Sequence, residues 1–268
     1  MPTDANYLLK EQYRDSVNLD ARAQLHARFS TNRSGWFRWL FERLELSPSA
    51  RVLELGCGPG WLWWENRDRI APGWQVTLTD FSPGMLDEAR KSLSRLEHPP
   101  SFACVDAQAI PFPDASCDAV LANFMLYHVP DRDRALAEIA RVLKPTGCLY
   151  AATNGVQNLL EIDELVVSVA PEIGRAGVFV HVHEFTLENG AQQLLPHFSD
   201  VCACWYDDAL VVSEVEPLIA YVLSGPAAHL RDEQLARLRQ MVATKIAEQG
   251  ALRIRKATGV FRARQPKR

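Results

Sequence analysis

The chain has 268 residues, 47% of them hydrophobic and 23% charged, with a formal net charge of −4 and a pI near 6.0. That length supports one α/β domain with added elements, or at most two small domains, and the composition excludes a disordered or fibrous chain. The mild acidity argues against nucleic acid as a partner: the one marked basic run, Arg253 to Arg268, reads as a closing strand with a solvated tail.

Six cysteines occur, none in a C-x-x-C pair and several inside apolar runs, so they read as small hydrophobes rather than a disulfide framework. The opening Met-Pro-Thr-Asp-Ala-Asn lacks the basic-then-apolar pattern of a signal segment. No stretch of 18 apolar residues is present to span a bilayer. Together these point to a reduced, cytoplasmic enzyme, as a monomer or homodimer.

In chain order, residues 7–29 carry Leu19, Leu25 and Phe29 at helical spacing, and Asn32 to Gly35 breaks that pattern. A strongly apolar helix follows from Trp36 to Leu44 and stops near Ser47-Pro48. Arg51–Leu55 is a short strand that runs into the glycine-rich turn Gly56-Cys-Gly-Pro-Gly60, with a helix from Trp61 to about Ile70. Gln75–Asp80 alternates and is β-branched, which predicts a strand. Ser82 is a capping residue with Pro83 at the first helical position, and that helix runs to about Leu96. Ser101–Val105, Cys117–Asn123 and Cys148–Thr153 are three more strands, with an amphipathic helix from Arg132 to Leu143 and a loop at Lys144–Gly147 before the last of them.

The second half is less regular. Helices are expected over Asn158–Ala170, Leu187–Leu195, Glu216–Leu223 and Leu230–Glu248. One strand is expected over Val201–Val212 and a closing one over Ala251–Ala263. Alternating strands and helices with short connections predict an α/β fold with a doubly wound, mostly parallel sheet.

In such a sheet ligands bind outside the carboxyl ends of the strands, where this chain places its unusual residues. Gly56, Gly58 and Gly60 follow the first strand in a G-x-G-x-G pattern. A dinucleotide turn would need its last glycine at position 61, which is Trp61. Glu54 lies beside the turn, and a carboxylate there repels phosphate but suits a cationic ligand. Asp80 ends the second strand, where an acid can accept bonds from both ribose hydroxyls or cap the next helix. Asp106, followed by Ala107, could read an adenine edge or serve a turn.

These features in this order resemble the class I S-adenosylmethionine-dependent methyltransferases, and most closely the small-molecule branch of the ubiquinone and menaquinone methyltransferases. The resemblance rests on Val52-Leu-Glu-Leu-Gly-Cys-Gly-Pro-Gly60, Leu78-Thr-Asp-Phe-Ser-Pro-Gly-Met-Leu86, Asp106-Ala-Gln-Ala-Ile-Pro-Phe112, Cys117-Asp-Ala-Val120 and Arg141-Val-Leu-Lys-Pro-Thr-Gly147. Thr146 stands where the family usually has Gly. The resemblance implies a Rossmann-like sheet of seven strands with an antiparallel last strand and helices on both faces. It implies a single domain over 1–268: an N-terminal helical lid over 1–47, a cofactor-binding core over 48–153, and the remaining sheet and substrate-side helices over 154–268. It further implies that Glu54, Gly56, Cys57, Gly58 and Gly60 surround the methionine part of S-adenosylmethionine. Asp80, Phe81 and Met85 would hold ribose and adenine, and Asp106 and Ala107 the adenine. Asn123 and Phe124 would line the methyl-transfer edge, while Tyr13, Leu25, His26, Phe29 and Ser30 match the lid segment.

The acceptor is less legible. His128, after the fourth strand, is the candidate general base, with Tyr127, His181, His183 and Glu184 behind it. His181-Val-His183-Glu184 has no third partner in its pattern, so no metal is expected. Trp36, Trp39, Trp61, Trp63 and Trp64 either pack helices or form an aromatic wall for a planar acceptor. The Asn/Asp-Pro-Pro-Tyr signature of amino-group nucleic-acid methyltransferases is absent, since Phe124, Met125 and Leu126 follow Asn123. A small-molecule acceptor methylated at O, N or C is therefore expected. A quinone-type C-methyltransferase and a non-catalytic cofactor-binding regulator are the alternatives.

Overall fold

A computed structural model describes residues 17–173, 183–225 and 230–267. The helices are α1 (Val17–Phe29), α2 (Trp36–Phe41), α3 (Trp61–Glu65), α4 (Pro83–Leu93), α5 (Arg132–Val142), α6 (Leu160–Val169), α7 (Gly190–Leu194), α8 (Val215–Leu223) and α9 (Asp232–Gln249). The strands are β1 (Arg51–Leu55), β2 (Gln75–Asp80), β3 (Ser101–Cys104), β4 (Cys117–Asn123), β5 (Leu143–Asn154), β6 (Phe198–Tyr206), β7 (Ala209–Val212), β8 (Leu252–Arg255) and β9 (Thr258–Pro266).

The expected seven-stranded sheet is present, in the order β3-β2-β1-β4-β5-β9-β6. Neighbours from β3 to β5 pair in parallel, while β9 lies antiparallel between β5 and β6. Its centre is covered on both faces, so β1 and β4 read as nearly unbroken apolar runs. One face packs Leu136, Ile139 and Val142 of α5 with Phe198 and Phe261. The other packs Trp39 to Phe41 of α2 with Trp63, Leu86 and Leu93.

Local chemistry sets the helix starts. The Ser82 hydroxyl accepts the Met85 N–H at 3.3 Å with Pro83 in the first turn. Asp131 likewise accepts the Arg134 N–H at 3.0 Å and starts α5. Several elements differ from expectation at their edges: α2 ends at Phe41, α3 at Glu65 and α4 at Leu93, α7 starts only at Gly190, and the loop at Lys144–Gly147 is part of β5. In the last of these, the Lys144 ammonium donates to both Asp118 oxygens at 2.8 Å, holding the chain against β4.

The larger difference is a second core outside the sheet. Leu25 and Phe29 of α1 cluster there with apolar residues of α6, α8 and α9 and with β7 and β8, which form their own two-stranded sheet. The run Val201–Val212 is therefore two strands, as is Ala251–Ala263, and each divides its halves between the two sheets. Both breaks fall where Asp208 and Lys256 meet. The Lys256 ammonium donates to Asp208 Oδ2 at 2.6 Å, with side-chain exposures of 7% and 0%. Alternation alone carries each segment through this point, but a buried ion pair needs both partners turned out of the ladder to face one another.

Among the segments described throughout, four cross between the sheet and this second core: 30–36, 154–160, 206–209 and 255–258. Their polar groups bind one another. Asp208 accepts from the Ser30 hydroxyl (2.6 Å), the Thr31 hydroxyl (3.1 Å) and the Asn32 N–H (2.9 Å). Asn158 Oδ1 accepts from the Ala257 N–H (3.0 Å), and the Thr258 hydroxyl donates to Asn154 Oδ1 (2.9 Å).

Candidate active site

A cavity of about 1120 Å³ opens between the carboxyl edge of the sheet and the second core. A single small-molecule site is usually roughly 300–1,000 Å³, so this one has room for two ligands side by side. Glu54, Gly56, Cys57, Gly58, Asp80, Phe81, Met85, Asp106, Ala107, Asn123, Phe124, Ser30 and His128 all line it. Gly60 and Phe29 do not. A Cβ on Gly60 would meet Leu93 Cδ1 at 2.8 Å, so this glycine lets α3 approach α4. Phe29 packs into the second core.

The turn after β1 is built for close approach. Gly56 has φ +68°, and a Cβ there would lie 2.8 Å from Met125 Cβ. Gly58 has φ +53°, and a Cβ there would meet nothing within 4 Å, so its outer side is open. Asp80 braces the turn, with Oδ2 accepting the Gly58 N–H at 2.9 Å and Oδ1 the Ser82 N–H at 2.8 Å. Turn residue and ligand residue are thus compatible readings, because each carboxylate oxygen keeps a further lone pair. Burial raises the Asp80 pKa, partly offset by the Ser82 and Gly58 bonds.

Glu54 is buried, 2% exposed, and both its oxygens are engaged. One accepts the Trp63 indole N–H at 2.5 Å and the other the Asn123 amide at 2.8 Å. Burial outweighs these bonds and pushes its pKa up to about 7. A carboxyl whose folded pKa is raised contributes stability that is complete below its unfolded pKa and lost as pH rises through the folded value. Relative to the wild type, Glu54→Gln is therefore expected to become progressively more stable between pH 5 and pH 8, by up to about 3 kcal/mol. Urea denaturation at the two pH values checks this, and a pH-independent difference would contradict it.

Asn123 Oδ1 is buried and has no hydrogen-bond partner among the described residues. The next residue, Phe124, takes φ +52°, a conformation that costs a non-glycine residue about 1–3 kcal/mol and clusters at functional sites. Asp106 is exposed and accepts from the Gln108 N–H at 2.8 Å, while Ala107 is buried. His128 sits in the short 3-10 turn Leu126–His128 with its ring 4.6 Å from that of Tyr127.

The tryptophans divide between the two expected roles. Trp36 and Trp61 line the cavity, whereas Trp39 and Trp63 are buried in the core and Trp64 lies outside under Arg67. Tyr13 and His181 lie outside the described residues. His183 lines the cavity, but Glu184 faces Arg132 at 3.4 Å. Tyr206 and Lys256 also line the cavity, and sequence reasoning missed both. The available signal was a lysine inside an otherwise regular strand pattern, paired with two aspartates directly after another.

Residues 53–151 match a model described as a methyltransferase domain. A methyltransferase from Streptomyces halstedii, GfsG, is 32% identical over 172 residues, 59% of this chain and 57% of that protein. A demethylmenaquinone methyltransferase from Lactobacillus johnsonii is 36% identical over 116 residues, 42% of this chain and 48% of that protein. The chain thus spans about half the length of these relatives. Among solved structures, a phosphoethanolamine N-methyltransferase from Haemonchus contortus in complex with S-adenosyl-L-methionine superposes with a TM-score of 0.59 at 19% identity, covering 98% of this chain and 60% of that one. With the glycine turn, the strand-end acids and this sheet order in one place, the segment 53–151 is similar to the methyltransferase-domain family.

Proposed function

We propose that this chain transfers a methyl group from S-adenosylmethionine to a small-molecule acceptor. The observation that carries this reading is the continuous cavity that joins the strand-end motif residues to an aromatic lobe with room for a second ligand. The residues fit the cofactor on their own chemistry. Asn123 Oδ1 is a buried acceptor awaiting a donor such as an ammonium group, and Gly58 leaves its side of the turn open. When bound, the cofactor supplies a methyl already activated on a sulfonium.

The protein's task is then placement and exclusion of water. Gly56 and Gly58 let the backbone approach the amino-acid part, and Asp80 accepts from the ribose while holding Gly58. Asp106 and Ala107 receive the adenine, with Phe81 and Met85 against it. Phe124 and Asn123 shape the transfer edge. His128 is the candidate base for an acceptor that must lose a proton. The Lactobacillus relative is named for a quinone precursor, which favours C-methylation of a quinone-type acceptor as the second reading.

Calorimetry with S-adenosylmethionine and S-adenosylhomocysteine tests the proposal. Both are expected to bind, and absence of both signals would overturn it. Asp80→Ala is expected to weaken binding by about 1–3 kcal/mol, the range for leaving buried partners unpaired. His128→Ala is expected to leave that affinity unchanged and to lower turnover. Binding by the wild type without turnover across a broad acceptor panel would favour a regulatory role.

A further inference from the structure

Besides Asn123 Oδ1, buried polar atoms of Trp36, His26 and Tyr206 in the cavity lining are unexplained. The Trp36 indole nitrogen and His26 Nδ1 are buried, and neither has a hydrogen-bond partner among the described residues, although both side chains line the cavity. Buried polar groups are nearly always paired, and each one left unpaired calls for an explanation. Their placement suggests one. The Trp36 ring stands 5.1 Å from Phe124, at the end of β4, and 5.4 Å from Tyr206. It therefore bridges the proposed transfer edge and the neck beneath the second core.

Two of the cations that line the cavity are committed to partners. Lys256, 5.1 Å from the Tyr206 ring, is held by Asp208. Five donors surround Asp208 and hold its carboxyl below the usual range against burial: Lys256, Ser30, Thr31 and the N–H groups of Asn32 and Ala209. Arg22 donates to the Ser224 hydroxyl and carbonyl at 3.0 and 2.6 Å. Burial, reinforced by Lys256, lowers the His26 pKa to about 3, so the imidazole is neutral at physiological pH. A charged acceptor group lodged against these two uncharged rings would lose its hydration without a counter-charge from either of them, which is costly. A neutral hydroxyl or carbonyl group would be matched, since an indole N–H donates and a neutral imidazole offers one donor and one acceptor nitrogen.

Resting on the methyltransferase reading above, we propose that Trp36 and His26 form the acceptor subsite and select an uncharged, hydroxyl- or carbonyl-bearing acceptor with a planar apolar body. Neither residue is required to take up a proton; both orient the acceptor beside Phe124.

The test uses the full chain loaded with S-adenosylhomocysteine and titrated by calorimetry with three probes: 2-naphthol, 2-naphthoate and 1-naphthylmethylammonium. The expected result is that 2-naphthol binds and that each charged probe binds at least about tenfold more weakly. Trp36→Phe keeps an aromatic ring and removes the N–H, and His26→Leu removes both ring nitrogens. Each is expected to weaken 2-naphthol about tenfold, the scale of a hydrogen bond lost from a buried partner, with S-adenosylhomocysteine affinity unchanged. No binding of 2-naphthol, equal binding of a charged probe, or wild-type affinity in both variants overturns the subsite. Failure of S-adenosylhomocysteine itself to bind the wild type would instead overturn the methyltransferase reading.

Discussion

Asp208→Ala is expected to cost about 3–5 kcal/mol of stability, the range for removing one partner of a buried ion pair. The Asp208 side chain is fully buried and the Lys256 ammonium almost so. Burial alone would push the Asp208 carboxyl up, but the bonds from Lys256, Ser30 and the Asn32 N–H outweigh it and hold its pKa below the usual range. The substitution strands the lysine cation and releases the Ser30–Asn32 segment that joins α1 to α2. For a chain of this length the loss corresponds to a drop in Tm of roughly 10 °C. Thermal unfolding of Asp208→Ala, Lys256→Met and the double variant measures it. Because a lone buried charge is worse than none, the double variant is expected to recover much of the loss. Additive losses in the double variant would show that the pair contributes little by pairing.

Gly56→Ala is expected to remove most of the cofactor affinity, and Gly58→Ala provides the contrast. At Gly56 two penalties combine. The left-handed backbone costs an L-residue about 1–2 kcal/mol, and forcing a carbon against Met125 Cβ adds about 1–3 kcal/mol of overpacking. Met125 follows Phe124 at the end of β4, so relief of the clash would move the transfer edge itself. At Gly58 only the backbone cost applies, because the space beside it is open. Gly58→Ala is therefore expected to fold with a small loss of stability, and to bind S-adenosylhomocysteine more weakly through the added methyl in the cavity. Calorimetry paired with urea denaturation separates the two. Equal stability losses would show that the Met125 contact yields freely, and full affinity in Gly58→Ala would place the ligand away from this turn.

Between Arg51 and Asn154 the chain could be read almost directly, because local patterns and global topology agree there. A buried parallel strand is a short apolar run, its neighbour begins within a few tens of residues, and the intervening helices carry their own caps at Ser82 and Asp131. The glycine turn and Asp80 are adjacent in space because β1 and β2 pair in register, so their association follows once the sheet is recognised. Gly60 shows the limit of that reading. It belongs to the same motif as Gly56, yet it serves the contact between α3 and α4 because its Cβ direction meets Leu93.

Alternation and short connections by themselves determined a doubly wound, mostly parallel sheet, and the strand-end residues marked the edge where a ligand would lie, while the antiparallel last strand came only with the family resemblance. The division of the second half between two sheets was decided only by tertiary structure, as were the neck of crossing segments and the polar pair Trp36 and His26. Each of those depends on contacts between residues up to about two hundred positions apart, such as Ser30 with Asp208 and Arg22 with Ser224. No local periodicity records such contacts: a buried lysine or histidine has the same letter as a solvated one, and only the fold supplies the partner that makes its burial tolerable.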